Sequence, residues 1–374
     1  MTTTGVATAT AAVAVDALRT ELQDFAVPDV GPDEGLLAVE VSGVCGTDWE
    51  IYRRESRGQG LGPLILGHEN VGRIAAIGER AAARWKVGVG DRVALEEFIP
   101  CHHCALCLSG QHVLCDATDS RGSAPFLRYG STPTTVGSGL WGGFAEIQYI
   151  HPSSLVHRVA DDVPGELAAL FVPISNGIRW VRDVADPPLG ASMLVVGPGQ
   201  HGLGCVAAGR EAGLGTIIVS GTSQSPDRLA VARALGADHT IEGDRESLVE
   251  RVRDITGGAG VDVVIDLTPG ATEVIDQAIE ALAKRGTLIL AGSKHGQTAP
   301  LRNDLVVRKE ATIRGVRGRD FASVEQALRL IESGRYPFER LCTHSFGLAD
   351  VDRALRLVGE RWDPGAIHVS VVPG

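Results

Sequence analysis

Four of the seven cysteines crowd together as Cys101, Cys104, Cys107 and Cys115, at steps of 3, 3 and 8. Thiolates this close in sequence can close a tetrahedral site with no open position, the arrangement of structural zinc. Iron–sulfur runs share the first two steps but differ at the fourth and require a following proline, where Asp116 stands. His102 and His103 lie inside the loop and read as exposed rather than ligating. The other cysteines, Cys45, Cys205 and Cys342, are isolated. An odd, clustered count argues for a reducing, cytoplasmic setting and metal binding rather than disulfides.

A second chemistry-bearing stretch is Gly197-Pro198-Gly199-Gln200-His201-Gly202-Leu203-Gly204. It follows the apolar run SMLVVG and opens a helical run, the context that a GxGxxG dinucleotide turn demands. Glycines allow the tight turn and a close backbone approach to pyrophosphate, and the helix N-terminus offers free N–H groups. The next strand, TIIVS, lacks the acid that would hold the adenosine ribose and repel a 2′-phosphate. Gly221 and Thr222 follow it, with Arg228 a few residues on. NAD(P) is the expected cofactor, with NADP slightly favoured. Thr268, Gly292 and Ser293, at the ends of later strands, complete the expected cofactor contacts.

These residues need two kinds of scaffold. At 374 residues the chain suits two domains. Up to about residue 173 it holds short β-like runs broken by glycine, such as LLAVEVSG and NVGRIAAIG, which read as an irregular β domain. From 174 to 313, strands and helices alternate, which implies a doubly wound parallel sheet. Residues 314–374 hold two helices and a strand that return to the first domain. MTTTGVATAT reads as a flexible tail without the positive cluster of a signal peptide. Apolar runs fall short of the ~20 residues of a membrane helix. With 46 acids against 35 bases the net charge is −11, so phosphate backbones are repelled and nucleic acid is not an expected partner.

Cys45 sits in Gly43-Val44-Cys45-Gly46-Thr47-Asp48, and His68 in Gly67-His68-Glu69-Asn70-Val71-Gly72. Thiolate, imidazole and carboxylate all suit zinc. With GVGDRV at 88–93, the four-cysteine lobe, GGFAE at 142–146, the glycine turn and LGAD at 235–238, the chain resembles the zinc-dependent medium-chain dehydrogenase/reductase (alcohol dehydrogenase) family. The resemblance runs from about residue 12 to 374. It implies a GroES-like catalytic domain split around a Rossmann domain, and homodimers or homotetramers. It implies catalytic zinc on Cys45 and His68, with Glu69 binding or approaching the metal. It also implies Thr47 as proton relay, Asp48 as the acid orienting the histidine, and structural zinc in the lobe.

Two positions depart from the family. Where a further zinc-site Cys, Asp or Glu is usual, Val172 stands, so the site must rest on Cys45, His68, Glu69 and water, or it is weak or empty. Five residues after Cys45, Glu50 replaces a relay histidine and is a candidate carboxylate relay. The expected activity is zinc-dependent interconversion of an alcohol and a ketone or aldehyde with NAD(P), on a small-molecule substrate. The alternatives are reduction of activated C=C or C=N bonds without catalytic zinc, and a non-catalytic nucleotide-binding role. Trp49, Phe126, Tyr129 and Trp141 are candidates to line an apolar pocket or to pack the segment 118–141.

Overall fold

The computed structural model describes residues 7–53, 62–119 and 126–374. The chain divides into two compact units. One comprises Met1–Phe171, Asp320–Ser333 and Cys342–Gly374; the other comprises Val172–Arg319 and Gly334–Leu341. In chain order the strands are β1 (Thr8–Asp16), β2 (Arg19–Ala26), β3 (Gly35–Val44), β4 (Leu64–Ile65), β5 (Glu69–Ile77), β6 (Arg92–Leu95), β7 (Ile147–Ile150) and β8 (Val156–Arg158). There follow β9 (Ser192–Val196), β10 (Thr216–Gly221), β11 (His239–Glu242), β12 (Val261–Asp266), β13 (Leu282–Leu290) and β14 (Thr312–Gly315), then β15 (Cys342–Phe346) and β16 (His368–Val371).

The first unit carries two sheets. One has the order β15-β16-β3-β5-β6-β8, with β7 also on β3, and a smaller one runs β2-β1-β4. Strand β1 begins at Thr8, inside the stretch expected to be a tail, because its small apolar residues Ala9 and Ala11–Ala14 are buried. They pack with Phe144, Tyr52, Ile65 and Leu355 in one core cluster. Burying a side chain such as Phe144 stabilises by roughly 1.5–3 kcal/mol. A second cluster holds Val93, Leu95, Tyr129 and Trp141. There Tyr129 Oη meets Ser154 Oγ at 2.7 Å and accepts the His151 N–H, while Trp141 Nε1 donates to Val136 O. Those two rings are core, not pocket lining. Trp49 lies beside Tyr52 with the rings tilted by 45°, and Gly359 leaves the space its indole occupies. Part of the segment 118–141 lies outside the described residues.

The second unit is a parallel sheet in the order β11-β10-β9-β12-β13-β14. From β9 the chain winds outward through β10 and β11, then crosses back to β12. The strand order therefore reverses between β9 and β12, the place where such sheets bind nucleotides at their carboxyl ends. The unit runs beyond residue 313 to Arg319. Its last residues are held by Trp180 Nε1 on Gly318 O and Arg179 on the carbonyls of Arg317 and Gly318. It also claims Gly334–Leu341 from the expected 314–374 return, because Arg335 and Tyr336 both bond Glu211. The helix Glu273–Ala281 gives way at once to β13 at Leu282, which pairs with Val261.

Candidate active site

Cys45 precedes the helix Gly46–Tyr52, whose third residue is Asp48. Asp48 is fully buried. Its Oδ2 accepts the Cys45 N–H at 2.9 Å, and its Oδ1 accepts the Gly67 N–H at 3.1 Å and meets His68 Nδ1 at 3.1 Å. One carboxylate thus ties the Cys45 loop to the His68 loop and turns the imidazole so that Nε2 is the free ligand atom. Gly67 has φ 88°, and a Cβ there would strike Phe144 and Ser42. Only glycine meets both demands, so the turn that delivers His68 requires it.

Glu69 opens β5 and pairs with Gly43 of β3. A Cβ at Gly43 would collide with the Glu69 carboxylate and the His368 ring, so that glycine makes the room both side chains use. The Glu69 carboxylate stands within 4.8 Å of Cys45 Sγ. Thr47 Oγ1 lies 3.9 Å from Cys45 Sγ, and Glu50 is half-exposed on the same helix. Burial, then Glu69, raises the Cys45 thiol. Burial pulls His68 down, but Asp48 and Glu97 outweigh it and hold the imidazole well above its usual value. A buried thiol, an imidazole and several carboxylates in one place form a donor set that suits a zinc ion, since buried charges are paired or bind metal.

Glu97 had no role in the sequence reading. Its Oε2 lies 3.9 Å from His68 Nε2, while Arg128 holds Oε1 with Nε at 2.7 Å and also with its terminal amine. Both residues are buried. The signal was the doubled acid Glu96-Glu97 in an otherwise apolar strand end.

The lobe brings the sulfurs of Cys101, Cys104, Cys107 and Cys115 within 4.8 Å of one another. Backbone N–H groups already point at the sulfurs: Cys101 N to Cys115, Cys104 N to Cys101, and Cys107 N to Cys104. Backbone donors, first His103 and then Cys104, hold Cys101 down to about 6; burial and neighbouring thiols push Cys107 up to about 12. His102 bonds Ser153 O and His103 bonds Cys101 O, both exposed, and neither belongs to the sulfur cluster. His112 of the lobe lies 3.5 Å from buried Glu96. Glu96 in turn bonds His157 Nε2 at 3.0 Å, and His157 Nδ1 reaches Glu325 at 2.5 Å. Burial works to raise Glu96, but His112 and His157 outweigh it and hold the carboxyl at about 2.

On the second unit the glycine turn joins β9 to the helix Gln200–Glu211, with Gly199 as N-cap. Gly197 has φ 106°. A Cβ on Gly202 would strike Gly197 O, and one on Gly204 would strike Pro173 O, so the helix packs backbone to backbone. Gln200 and His201 occupy the first turn, with His201 beside Trp180 and Asn176. Leu203 is fully buried, and its N–H donates to Gly199 O. Gly221 packs near Pro198, Thr222 is exposed, and Arg228 is half-buried in the first turn of Pro226–Ala234. Although TIIVS carries no acid, Asp244 supplies a carboxylate to this edge from beyond β11. It accepts Ser223 N–H at 2.7 Å and Ser223 Oγ at 2.6 Å. At the end of β12, Thr268 bonds Asp266, which pairs with Lys294 at 2.7 Å. Gly292 passes close over Thr268, and Ser293 Oγ accepts the His295 N–H.

The alcohol dehydrogenase GroES-like domain matches residues 31–161, and the zinc-binding dehydrogenase domain matches residues 202–333. A probable alcohol dehydrogenase of Mycobacterium tuberculosis is 40% identical over 361 residues, 95% of this chain and 96% of the relative. The chain belongs to the zinc-dependent medium-chain alcohol dehydrogenase family. It is an oxidoreductase. An erythritol/L-threitol dehydrogenase of Mycolicibacterium smegmatis is 31% identical over 94% of each chain. Among solved structures, an alcohol dehydrogenase of Thermotoga maritima superposes with TM-score 0.85 at 25% identity, covering 98% of this chain and all of that one. One from Thermus sp. ATN1 gives TM-score 0.82 at 26% identity, with 98% and 100% coverage. No helix among the described residues is long and apolar enough to cross a membrane.

Proposed function

We propose that the protein interconverts a small alcohol and its ketone or aldehyde with NAD(P), using zinc held by Cys45, His68 and Glu69 and a second zinc held by the four lobe cysteines. The observation that carries this reading is the Asp48 carboxylate, which bonds both the Cys45 backbone and His68 Nδ1. That contact fixes the tautomer and aim of a ligating imidazole. Bound there, zinc supplies Lewis-acid polarisation of the substrate oxygen, and the nicotinamide supplies or takes the hydride. The chain's own groups do the rest. Thr47 Oγ1, near Cys45 Sγ, takes the alcohol proton, and Glu50 on the same helix passes it towards solvent. Gly197, Gly199 and Gly202 shape the turn that receives the pyrophosphate at the helix N-terminus. Gln200, His201, Gly221, Thr222, Thr268, Gly292 and Ser293 line the remainder of the proposed cofactor face.

NADP is proposed to serve at least as well as NAD, through Arg228, with Asp244 acting in the opposite direction. The free state of all seven cysteines suits a reducing cytoplasm, and the exposed Leu108 and Leu114 of the lobe suit burial in a homodimer or homotetramer. The names of the relatives, including an erythritol/L-threitol dehydrogenase and a sorbitol dehydrogenase of Bacillus subtilis, favour alcohols over activated double bonds. The test is turnover of an alcohol and carbonyl panel, polyols included, with both cofactors, alongside elemental analysis. About two zinc ions per chain and NAD(P)-linked oxidation are expected. A single zinc that survives Cys45→Ala, with no alcohol turnover, would sink the reading.

A further inference from the structure

We infer that Glu97 is a direct ligand of the active-site metal and supplies the carboxylate that Val172 cannot. The inference rests on the proposed active-site zinc. His68 Nδ1 is committed to Asp48, so Nε2 is the atom left to bind an ion. Glu97 Oε2 is 3.9 Å from that atom. A tetrahedral ion with bonds of about 2.0–2.2 Å to nitrogen and oxygen places the two atoms roughly 3.4 Å apart. The pair is therefore about half an ångström wider than a coordination edge. Cys45 Sγ, His68 Nε2 and Glu97 do not form one cluster within 4.8 Å among the described residues. Closing on the ion thus takes a rotation of the Glu97 side chain. Its two sp³–sp³ torsions and its broad terminal χ3 permit this without backbone movement.

Arg128 fixes the remaining oxygen. It grips Oε1 and rests its guanidinium 4.7 Å from the Phe98 ring centre, leaving Oε2 on the His68 side. A carboxylate with one oxygen on an arginine and the other on a metal is the arrangement by which ligand carboxylates are oriented. Elsewhere in the same space Asp48 and Glu69 are also buried acids. Val172, meanwhile, is a buried apolar side chain with no donor atom. Cys45, His68, Glu69 and Glu97 then offer one thiolate, one imidazole and two carboxylates, of which one carboxylate must yield for the substrate oxygen to reach the ion.

The competing account is that Glu97 exists only to neutralise Arg128. Zinc release from the parent, Glu97→Gln and Arg128→Gln separates the two, followed by dialysis of each holoenzyme against a weak chelator. The visible spectrum of the cobalt-substituted proteins gives a readout independent of activity. If Glu97 ligates, Glu97→Gln releases one ion about 100-fold faster or more, beyond the usual 10–100-fold effect of an indirect partner. Its cobalt bands change, and the lobe ion stays. Arg128→Gln keeps both ions, with release changed by about 10-fold at most. Should Glu97→Gln not fold, the double variant with Arg128→Gln removes both buried charges together and carries the same expectation for zinc. Two firmly held ions and an unchanged cobalt spectrum in the folded Glu97 variant overturn this inference alone. A parent that holds only the lobe ion overturns it together with the proposed active-site zinc.

Discussion

Replacing Glu96 with glutamine isolates a buried charge network from the zinc chemistry. Glu96 and His157 are both fully enclosed and 3.0 Å apart, and His112 lies 3.5 Å away. Two routes give the cost. The carboxyl is held at about 2 instead of its ordinary 4.5. At 1.36 kcal/mol per unit this is about 3 kcal/mol at neutral pH. Independently, removing one partner of a buried ion pair costs roughly 3–5 kcal/mol. The amide keeps one acceptor and Glu325 still faces His157, so the lower end, about 3 kcal/mol, is expected. The pH course is specific. A carboxyl whose pKa falls on folding adds stability that is fully present above about 4.5 and is lost as pH drops towards 2. His157 behaves oppositely: burial lowers it, but Glu325 and Glu96 raise it above 6.5 overall. Its share is present at low pH and lost as pH rises through that raised value. The gap between parent and Glu96→Gln is therefore widest from about pH 5 to pH 7 and closes on acidification. Urea unfolding followed by near-ultraviolet circular dichroism, which reads Tyr129 and Trp141 in the same unit, measures it. A gap below 1 kcal/mol at pH 6, or one that grows towards pH 3, refutes the reasoning.

Gly204→Ala should destabilise the second unit by roughly 1–3 kcal/mol and weaken NAD(P) binding, because the new Cβ meets Pro173 backbone rather than a movable side chain; thermal melts and cofactor fluorescence titration report both. Asp48→Asn puts an amide where three donors now point, so active-site zinc affinity should fall about 10–100-fold in a chelator competition while the lobe ion is unaffected. Arg228→Ala should cost NADP about 1–3 kcal/mol more than NAD, and Asp244→Asn should shift the balance the other way. Comparing kcat/KM for both cofactors checks the pair, and a parent with a large NAD preference would remove the role given to Arg228.

The parallel sheet was legible because each of its elements is announced locally. TIIVS and VDVVIDLT are short runs rich in β-branched residues that suit strands of a parallel sheet, and the glycine turn names its own helix. Cys101, Cys104, Cys107 and Cys115 were legible for the same reason, since their spacing is a property of one loop. The limits of the catalytic domain were less so: 334–341 goes with the second unit through Arg335 and Tyr336 on Glu211, a contact no local pattern encodes. Glu97 and Asp244 were missed because each acts across strands. Glu97 reaches His68 only once β5 and β6 pair, and Asp244 reaches Ser223 only once β10 and β11 lie side by side.

The strand that completes the sheet beside Cys45 is the last in the chain. Ser370 of β16 pairs with Gly43, and Val369 with Val44. On a ribosome, every residue of the nucleotide unit, through Leu341, is made before β16 emerges. The Rossmann half can thus mature while β3 waits with an open edge at Ser42, Gly43 and Val44. An unpaired edge of this kind is where nascent chains mispair or recruit chaperones. The wait is set by topology rather than by stability, since the paired Val44 and Val369 are 325 residues apart in sequence. Metal capture at Cys45 would then be among the closing events of biosynthesis, whereas the compact cysteine lobe, built from one short loop, has its ligands together from early on.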